Sequence, residues 1–445
     1  MTRKLFSIYQ IIISALLGTL LHSSLMAQDD PMQLTLEACI QYAMENNINL
    51  ENNKFDEYIA QKDVSELIAN GLPQVEGTAD LNYNFKLPVF VLPGENGEPQ
   101  DVTFGLPWQA TWGGSISQLI FDGRFFLGVK ASTIYVDLTE LNTQRNREQT
   151  AYDVSKAYYS ALLSQERLNL LDANIERVQK LYNETDALHK EGFAEKIDVE
   201  RLEINLNNLR SERSSVQQLA EVGIDLLKFQ MGMPVNATIE LTESMESLDI
   251  KPASPTLKSD FDYTQRLEYK ILNTQKLVEE FTLKSYKAGF LPTLYGFASY
   301  NWNKQWDDAQ SFNFQTGVVG ATLTLPIFDG NRKLRQIQRS SLKIKKIDNN
   351  MEQLENSSSL EIRQAVANLN NAFTDLEAQE KNRALAEKVY NITRIKYKEG
   401  VGSSLEVNDA ETQLKQAESN YIASLFEYLI AKLDLQKLMG DFRNY

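Results

Sequence analysis

Ile120-Phe121-Asp122-Gly123 and Ile327-Phe328-Asp329-Gly330 are the same four residues repeated at an offset of 207, and reading outward from them sets the architecture. Downstream, Lys190-Glu191-Gly192 answers Lys398-Glu399-Gly400, and Met231-Gly232 answers Met439-Gly440, both at an offset of 208. Upstream, Leu72-Pro73 answers Leu291-Pro292 at 219, so the first copy carries twelve extra residues before its Phe-Asp-Gly turn. They fall in the Pro/Gly-rich stretch Leu87–Thr103, which reads as a loop tolerant of insertion. The chain is therefore one unit used twice: a first repeat over 28–235, a linker over 236–259 and a second repeat over 260–445.

Each repeat changes period along its length. A helical segment (about 34–70, and 260–290) precedes residues that alternate with period two. In Thr78-Ala79-Asp80-Leu81-Asn82-Tyr83-Asn84-Phe85 one face is apolar and the other polar, and Trp108–Ser117 repeats the pattern. Thr293–Asn303 and Phe312–Leu325 are the second repeat's strands, and all four tryptophans (Trp108, Trp112, Trp302, Trp306) lie in or beside these segments. Aromatic residues on such strands mark a membrane–water interface, although a half-buried soluble sheet also alternates.

No proline occurs within 108–233 or 327–445, so long uninterrupted helices are possible there. Ile362, Val366, Leu369, Phe373 and Leu376 step by four and three, and Leu414, Tyr421, Tyr428 and Leu435 by seven, which is coiled-coil spacing. Each repeat thus ends in a helical hairpin whose first arm, about sixty-five residues, would span roughly 100 Å. Four strands cannot close a barrel, and open edges are not tolerated in lipid. Chains must pool their strands, and three copies give twelve strands and twelve helical columns.

Residues 1–27 read as an export signal, with basic Arg3 and Lys4, an apolar run from Ile11 to Leu21, and Leu25-Met26-Ala27 before the expected cleavage. No later segment is apolar enough for a membrane-spanning helix. Removing the two cations takes the net charge from -15 to -17, which argues against nucleic acid as a partner. His22 lies in the signal, leaving His189 and the single Cys39, too few for a zinc site of the usual nitrogen/sulfur kind. No nucleophile elbow, phosphate loop, metalloprotease helix or dinucleotide fingerprint is present. The reading is non-enzymatic and cofactor-free, with Cys39 a small core residue.

Leu34-Thr35-Leu36-Glu37 opening a helix, the two Phe-Asp-Gly turns, and Tyr397-Lys398-Glu399-Gly400-Val401-Gly402 with its first-repeat partner together resemble the TolC-like outer-membrane efflux proteins. The resemblance covers essentially the mature chain. It implies a mainly helical protein with membrane β-structure: a trimeric twelve-stranded β-barrel, four strands per chain, continued by a long coiled-coil helical barrel into the periplasm. It also implies a passive exit duct in the outer-membrane lipid, served by a periplasmic adaptor (membrane fusion) protein and an inner-membrane pump of RND, ABC or MFS type. The competing reading is a structural coiled-coil envelope protein without a pore, which accounts for the heptads but not for the duplicated strands.

The resemblance further assigns the adaptor-contacting tip to Gly192, Phe193, Ala194, Gly400, Val401 and Gly402. Glu406 and Asp409 match acidic residues that ring the entrance in relatives, so three copies would gather six carboxylates into a periplasmic gate. Asp198 stands at the place of Glu406 in the first repeat, while Arg201 replaces the second acid. Ser403-Ser404-Leu405-Glu406 also fits a capping box, which explains Glu406 but not Asp409. Arg332, Lys333, Arg335, Arg339, Lys343, Lys345 and Lys346 crowd one helix start, as a solvated face or a contact with anionic lipid.

Overall fold

The computed structural model describes residues 32–93, 98–243, 248, 250 and 262–445; the expected signal and most of the expected linker lie outside these. In chain order the elements are β1 (Met32–Leu34), α1 (Leu36–Asn46), α2 (Ile48–Ala69), β2 (Gln74–Tyr83), β3 (Val89–Pro93), β4 (Pro99–Thr103) and β5 (Trp108–Phe121). The first long hairpin, α3 (Gly123–Lys190) and α4 (Lys196–Met231), is followed by β6 (Ile239–Leu241). A 3-10 turn (Tyr263–Gln265) leads to α5 (Leu267–Ala288), β7 (Thr293–Trp306) and β8 (Ser311–Thr324). The second long hairpin is α6 (Arg332–Lys398) and α7 (Ser404–Met439), closed by a 3-10 turn at Asp441–Asn444. The protein is mainly helical, with α3 and α6 of 68 and 67 residues and one four-stranded sheet. Among the described residues no helix is long and apolar enough to cross a membrane.

The chain divides into two units. One comprises Met1–Asn47, Thr150–Pro252 and Ala372–Leu433; the other comprises Ile48–Gln149, Ala253–Asn371 and Asp434–Tyr445. The second unit holds the sheet, in the order β2-β5-β7-β8 and antiparallel throughout. The register separates its two faces. Tyr83, Trp108 and Trp306 are successive cross-strand partners, as are Ala79, Trp112, Trp302 and Gln315 one step along. The Trp108 and Trp306 rings stack with centroids 5.9 Å apart. One face thus carries the tryptophans with Val75, Leu81, Ile116, Val319 and Leu323, and most of these large side chains are exposed. The opposite face presents Glu76, Asp80, Asn82, Thr111, Ser115, Asn301 and Asn303 at alternate positions, together with Phe297, Phe312, Phe314 and Val318 of β7 and β8. Thr111 Oγ1 donates to Asn303 Oδ1 at 3.0 Å across the β5/β7 junction. Among the described residues the outer edges of β2 and β8 pair with no other strand.

Three local expectations change. The Leu87–Thr103 stretch, read as a loop, contains the antiparallel pair β3/β4, in register from Val89↔Thr103 to Pro93↔Pro99. Its β-branched and aromatic residues satisfy their backbone groups by pairing, and the prolines stand at the ends of the pair. The segment 34–70, read as one helix, breaks at Asn47, whose backbone turns extended (φ -70°, ψ 121°). Asn47 Nδ2 instead donates to the carbonyl of Gln230 at 2.8 Å, fastening the end of α1 to the end of α4. The expected linker contributes β6, which pairs parallel with β1 from Met32↔Ile239 to Leu34↔Leu241.

At that corner Gly232 has φ +78°, and a Cβ there would lie 2.5 Å from the Asn46 carbonyl oxygen. Its repeat partner Gly440, φ +82°, faces only the Arg443 side chain. Gly232→Ala is therefore expected to destabilise the protein by about 2–3 kcal/mol, from the left-handed backbone plus a backbone clash that cannot relax. Gly440→Ala should cost less, about 1–2 kcal/mol, because the clash is with a side chain and not with backbone, although moving Arg443 strains its 3.2 Å ion pair with Glu148. Denaturant titration of the two variants checks the difference; equal losses would contradict it.

The unit containing the hairpin turns has its own core. Leu171, Val178 and Leu181 of α3, Leu202, Leu206, Leu209 and Val216 of α4, Tyr390 of α6, and Val407, Ala410 and Leu414 of α7 form one buried cluster. Along the α6 seam Leu369 and Leu376 are buried and Phe373 is half-buried against Tyr428, ring centroids 5.9 Å apart. Cys39 is fully buried on α1, and its thiol is pushed up to about 12 by that burial, with the Glu243 carboxylate adding to the shift.

Candidate functional site

Both interhelical turns are built by one device. The Gly192 N–H donates to the His189 carbonyl (2.9 Å) and the Phe193 N–H to the Leu188 carbonyl (2.8 Å). In the second repeat Gly400 donates to Tyr397 (3.1 Å) and Val401 to Lys396 (3.0 Å). This is the Schellman pattern, with the left-handed residue at Gly192 (φ +82°) and Gly400 (φ +74°). It ends each arm just before the glycine, at Lys190 and Lys398, and throws the side chain after the glycine outward. Phe193 is 82% exposed and Val401 77%, with no intramolecular cover. His189 Nδ1 lies 2.9 Å from the Ala194 carbonyl oxygen, which holds the first turn's backbone.

Gly402 differs from its sequence reading. A Cβ there would lie 3.2 Å from both Lys396 Cβ and Tyr397 N of its own hairpin. That surface is already occupied by the chain, so it does not offer open backbone to a partner. Gly192 and Gly400 have nothing within 4 Å of the equivalent position.

The acids follow the turns. Ser403 Oγ accepts from the Glu406 N–H at 3.3 Å, so the hydroxyl caps α7 and the Glu406 side chain is left free to face outward. Glu406 and Asp409 are both exposed, and among the described residues neither forms an ion pair. Asp198 is only partly exposed and lies 3.8 Å from Arg201 of its own helix. The structure therefore holds two unpaired carboxylates in the second repeat and a compensated one in the first. Among the described residues no group of side chains could hold a metal ion.

Behind the turns lies a polar layer that sequence reasoning missed. Arg177 of α3 bridges two carboxylates of α7, Glu411 at 3.4 Å and Glu418 at 3.1 Å. Asn174 Nδ2 also donates to Glu418 at 3.0 Å, and Arg177 is hydrogen-bonded to Asn174 Oδ1. Closer to the tip Glu184 meets Arg394 (3.4 Å) and Lys398 (3.3 Å), and the hydroxyls of Thr185 and Tyr397 lie 3.1 Å apart. Burial raises the Glu411 carboxyl above its ordinary range; Arg177 opposes this and Glu418 adds to it. The signal was present as two acids seven residues apart beside Leu414, but the same spacing also describes a solvated stripe.

A model of the family described as outer membrane efflux protein matches residues 282–441. The chain is 20% identical over 329 residues to the alkaline protease secretion protein AprF of Pseudomonas aeruginosa, covering 73% of this chain and 68% of that one. It is 21% identical over 438 residues to the outer membrane protein TolC of Escherichia coli, covering 94% and 83% respectively. Among solved structures, the outer membrane protein VceC from Vibrio cholerae superposes with a TM-score of 0.71 at 15% identity, covering 91% of this chain and 96% of that one. The Campylobacter jejuni CmeC outer membrane channel gives 0.73 at 17% identity, covering 91% and 85%.

Proposed function

This chain belongs to the outer membrane efflux protein family, as a non-enzymatic channel subunit of the outer membrane, and from that premise we propose that three copies close one barrel and one helical tunnel. The observation that carries this is the two-faced four-stranded sheet with both edges unpaired. Unpaired edges cannot persist in lipid, and four strands are half the smallest barrel. Three chains pool twelve strands, turn the tryptophan face to lipid and the Asp80/Asn303 face to a watery lumen. The repeats 28–235 and 260–445 then each supply a sixth of the wall. A relative named for protease secretion and others named for antibiotic and toluene efflux support the same duct for this chain. A periplasmic adaptor protein and an inner-membrane pump of RND, ABC or MFS class supply cargo and drive.

At the periplasmic end Glu406 and Asp409, uncompensated and exposed, form the acidic ring, with Asp198 a weaker contributor because of Arg201. A ring of carboxylates at a narrow pore concentrates cations and excludes anions. Purified protein in a planar bilayer tests both levels. Unitary, cation-selective conductance is expected; its absence would favour the coiled-coil protein without a pore. Glu406→Ala combined with Asp409→Ala should raise conductance and reduce cation selectivity, with little loss of stability because Ser403 still caps α7. Asp198→Ala should do less. A double variant indistinguishable from the parent would place the constriction elsewhere.

A further inference from the structure

Between Arg332 and Lys346, α6 carries seven cations and no carboxylate. Arg332, Arg339 and Lys346 recur at seven-residue intervals with Arg335 beside them, so they share one flank of the helix. All four are exposed. Arg332 reaches only Asp329, at 4.0 Å, and among the described residues Arg339 and Lys346 have no ion pair. On α2, Asp56, Asp63 and Glu66 are likewise exposed and without an ion pair, and Lys62 is the one cation among them. Phe55 and Ile59 of α2 and Leu342 of α6 are more than half exposed beside these charges. The two helices descend from the two unpaired sheet edges, α2 from β2 and α6 from β8.

The chain shows once, within itself, how such a junction is made. Where β5 meets β7, the first repeat's long helix α3 lies beside α5, the second repeat's counterpart of α2. Ser285 Oγ donates to the Arg124 carbonyl at 3.4 Å, and a Cβ at Gly123 would lie 3.2 Å from Ala288 Cβ. At the offsets of 219 and 207, Ser285 and Ala288 correspond to Glu66 and Ala69, and Gly123 and Arg124 to Gly330 and Asn331. Applied between copies, this register sets Glu66 beside Asn331 and Arg332, and Asp63 and Asp56 successively farther along α6. At Gly330 nothing lies within 4 Å of a Cβ, whereas at Gly123 the neighbouring helix fills that space.

At these positions the two junctions differ in charge. At the internal junction the counterparts of Arg332, Arg335, Arg339 and Lys346 are Phe125, Gly128, Ser132 and Thr139. Those of Asp56, Asp63 and Glu66 are Gln275, Thr282 and Ser285. A shared fold does not require this difference. The geometry points to an ionic seam in which the basic flank of α6 docks on the acidic α2 of a second copy, an inference that rests on the trimeric reading above. Opposite charges in antiparallel register select β2-to-β8 closure between copies, and like charges oppose pairing of α6 with α6 or α2 with α2.

The test uses the full chain in detergent. The parent should run as a trimer; a monomeric parent would end the trimeric reading itself, before the seam is addressed. Arg335→Glu with Arg339→Glu, and separately Asp56→Lys with Asp63→Lys, should each cut the trimer fraction about tenfold. The four changes together should restore it. Reversed variants as trimeric and heat-resistant as the parent would overturn the seam and leave the row to lipid headgroups. Loss without rescue in the fourfold variant would overturn it too. Independently of folding yield, oxidised Asp63→Cys/Arg335→Cys protein should give covalent dimers and trimers, since native Cys39 is buried. Covalent monomer alone would contradict the register.

Discussion

A chain carrying Phe193→Glu and Val401→Glu exports no cargo, although its trimers assemble and insert as the parent's do. Each residue follows the left-handed glycine of a Schellman turn and is among the most exposed apolar side chains of the protein. Neither supports the hairpin: the turns are held by backbone bonds from Gly192, Phe193, Gly400 and Val401, which the substitutions leave in place. Two bare apolar side chains at turns exposed to water cost solubility unless something covers them, and the proposed adaptor would supply that cover. Carboxylates there would have to be desolvated on docking, with no partner charge supplied. Crosslinking to the adaptor should vanish alongside export, with trimer abundance unchanged. Normal export at normal abundance would remove the turns from the interface. Gly402→Trp is a poorer probe, because its side chain would first meet Lys396 and Tyr397 of its own hairpin.

Replacing Arg177 by methionine lowers stability at neutral pH by about 3–4 kcal/mol, the range for stranding a buried charge. The Glu411 and Glu418 side chains retain only 4% and 9% of their exposure, and Arg177 is the cation bridging them. Glu411 Oε2 already lacks a hydrogen-bond partner in the chain. Removing Arg177 therefore leaves two carboxylates close together in an apolar cluster. The pH dependence has a definite sign. The folded Glu411 carboxyl is raised above its unfolded value, so its contribution is full in acid and is lost as pH rises through the raised value. The variant, without the cation that opposes this shift, should recover part of its deficit as the pH is lowered from neutral to mildly acidic. Glu411→Gln added to Arg177→Met should recover part of it at neutral pH. Denaturant titration of the three proteins at both pH values measures this; a pH-independent deficit would show that Arg177 acts through packing alone.

The elements and the internal repeat are legible from residue order alone. Proline-free stretches with three-and-four spacing became α3, α4, α6 and α7, and period-two stretches became β2, β5, β7 and β8, because a regular element buries one side and its period records which. Strand limits moved: β2 starts at Gln74 and β5 runs on to Phe121, since pairing continues past the last clearly alternating residue. Partners across long separations were not legible. Asn47 breaks a helix because the Gln230 carbonyl stands in reach of its amide, and β1 finds β6 across the same corner. Gly400 and Gly402 look alike in the chain, yet one holds a left-handed turn in open space and the other faces its own backbone. Arg177, Glu411 and Glu418 are ordinary charges in the chain until α3 and α7 bring them together. Local pattern sets which side of an element is apolar; which groups meet on that side depends on how distant elements pack, and no local pattern records it.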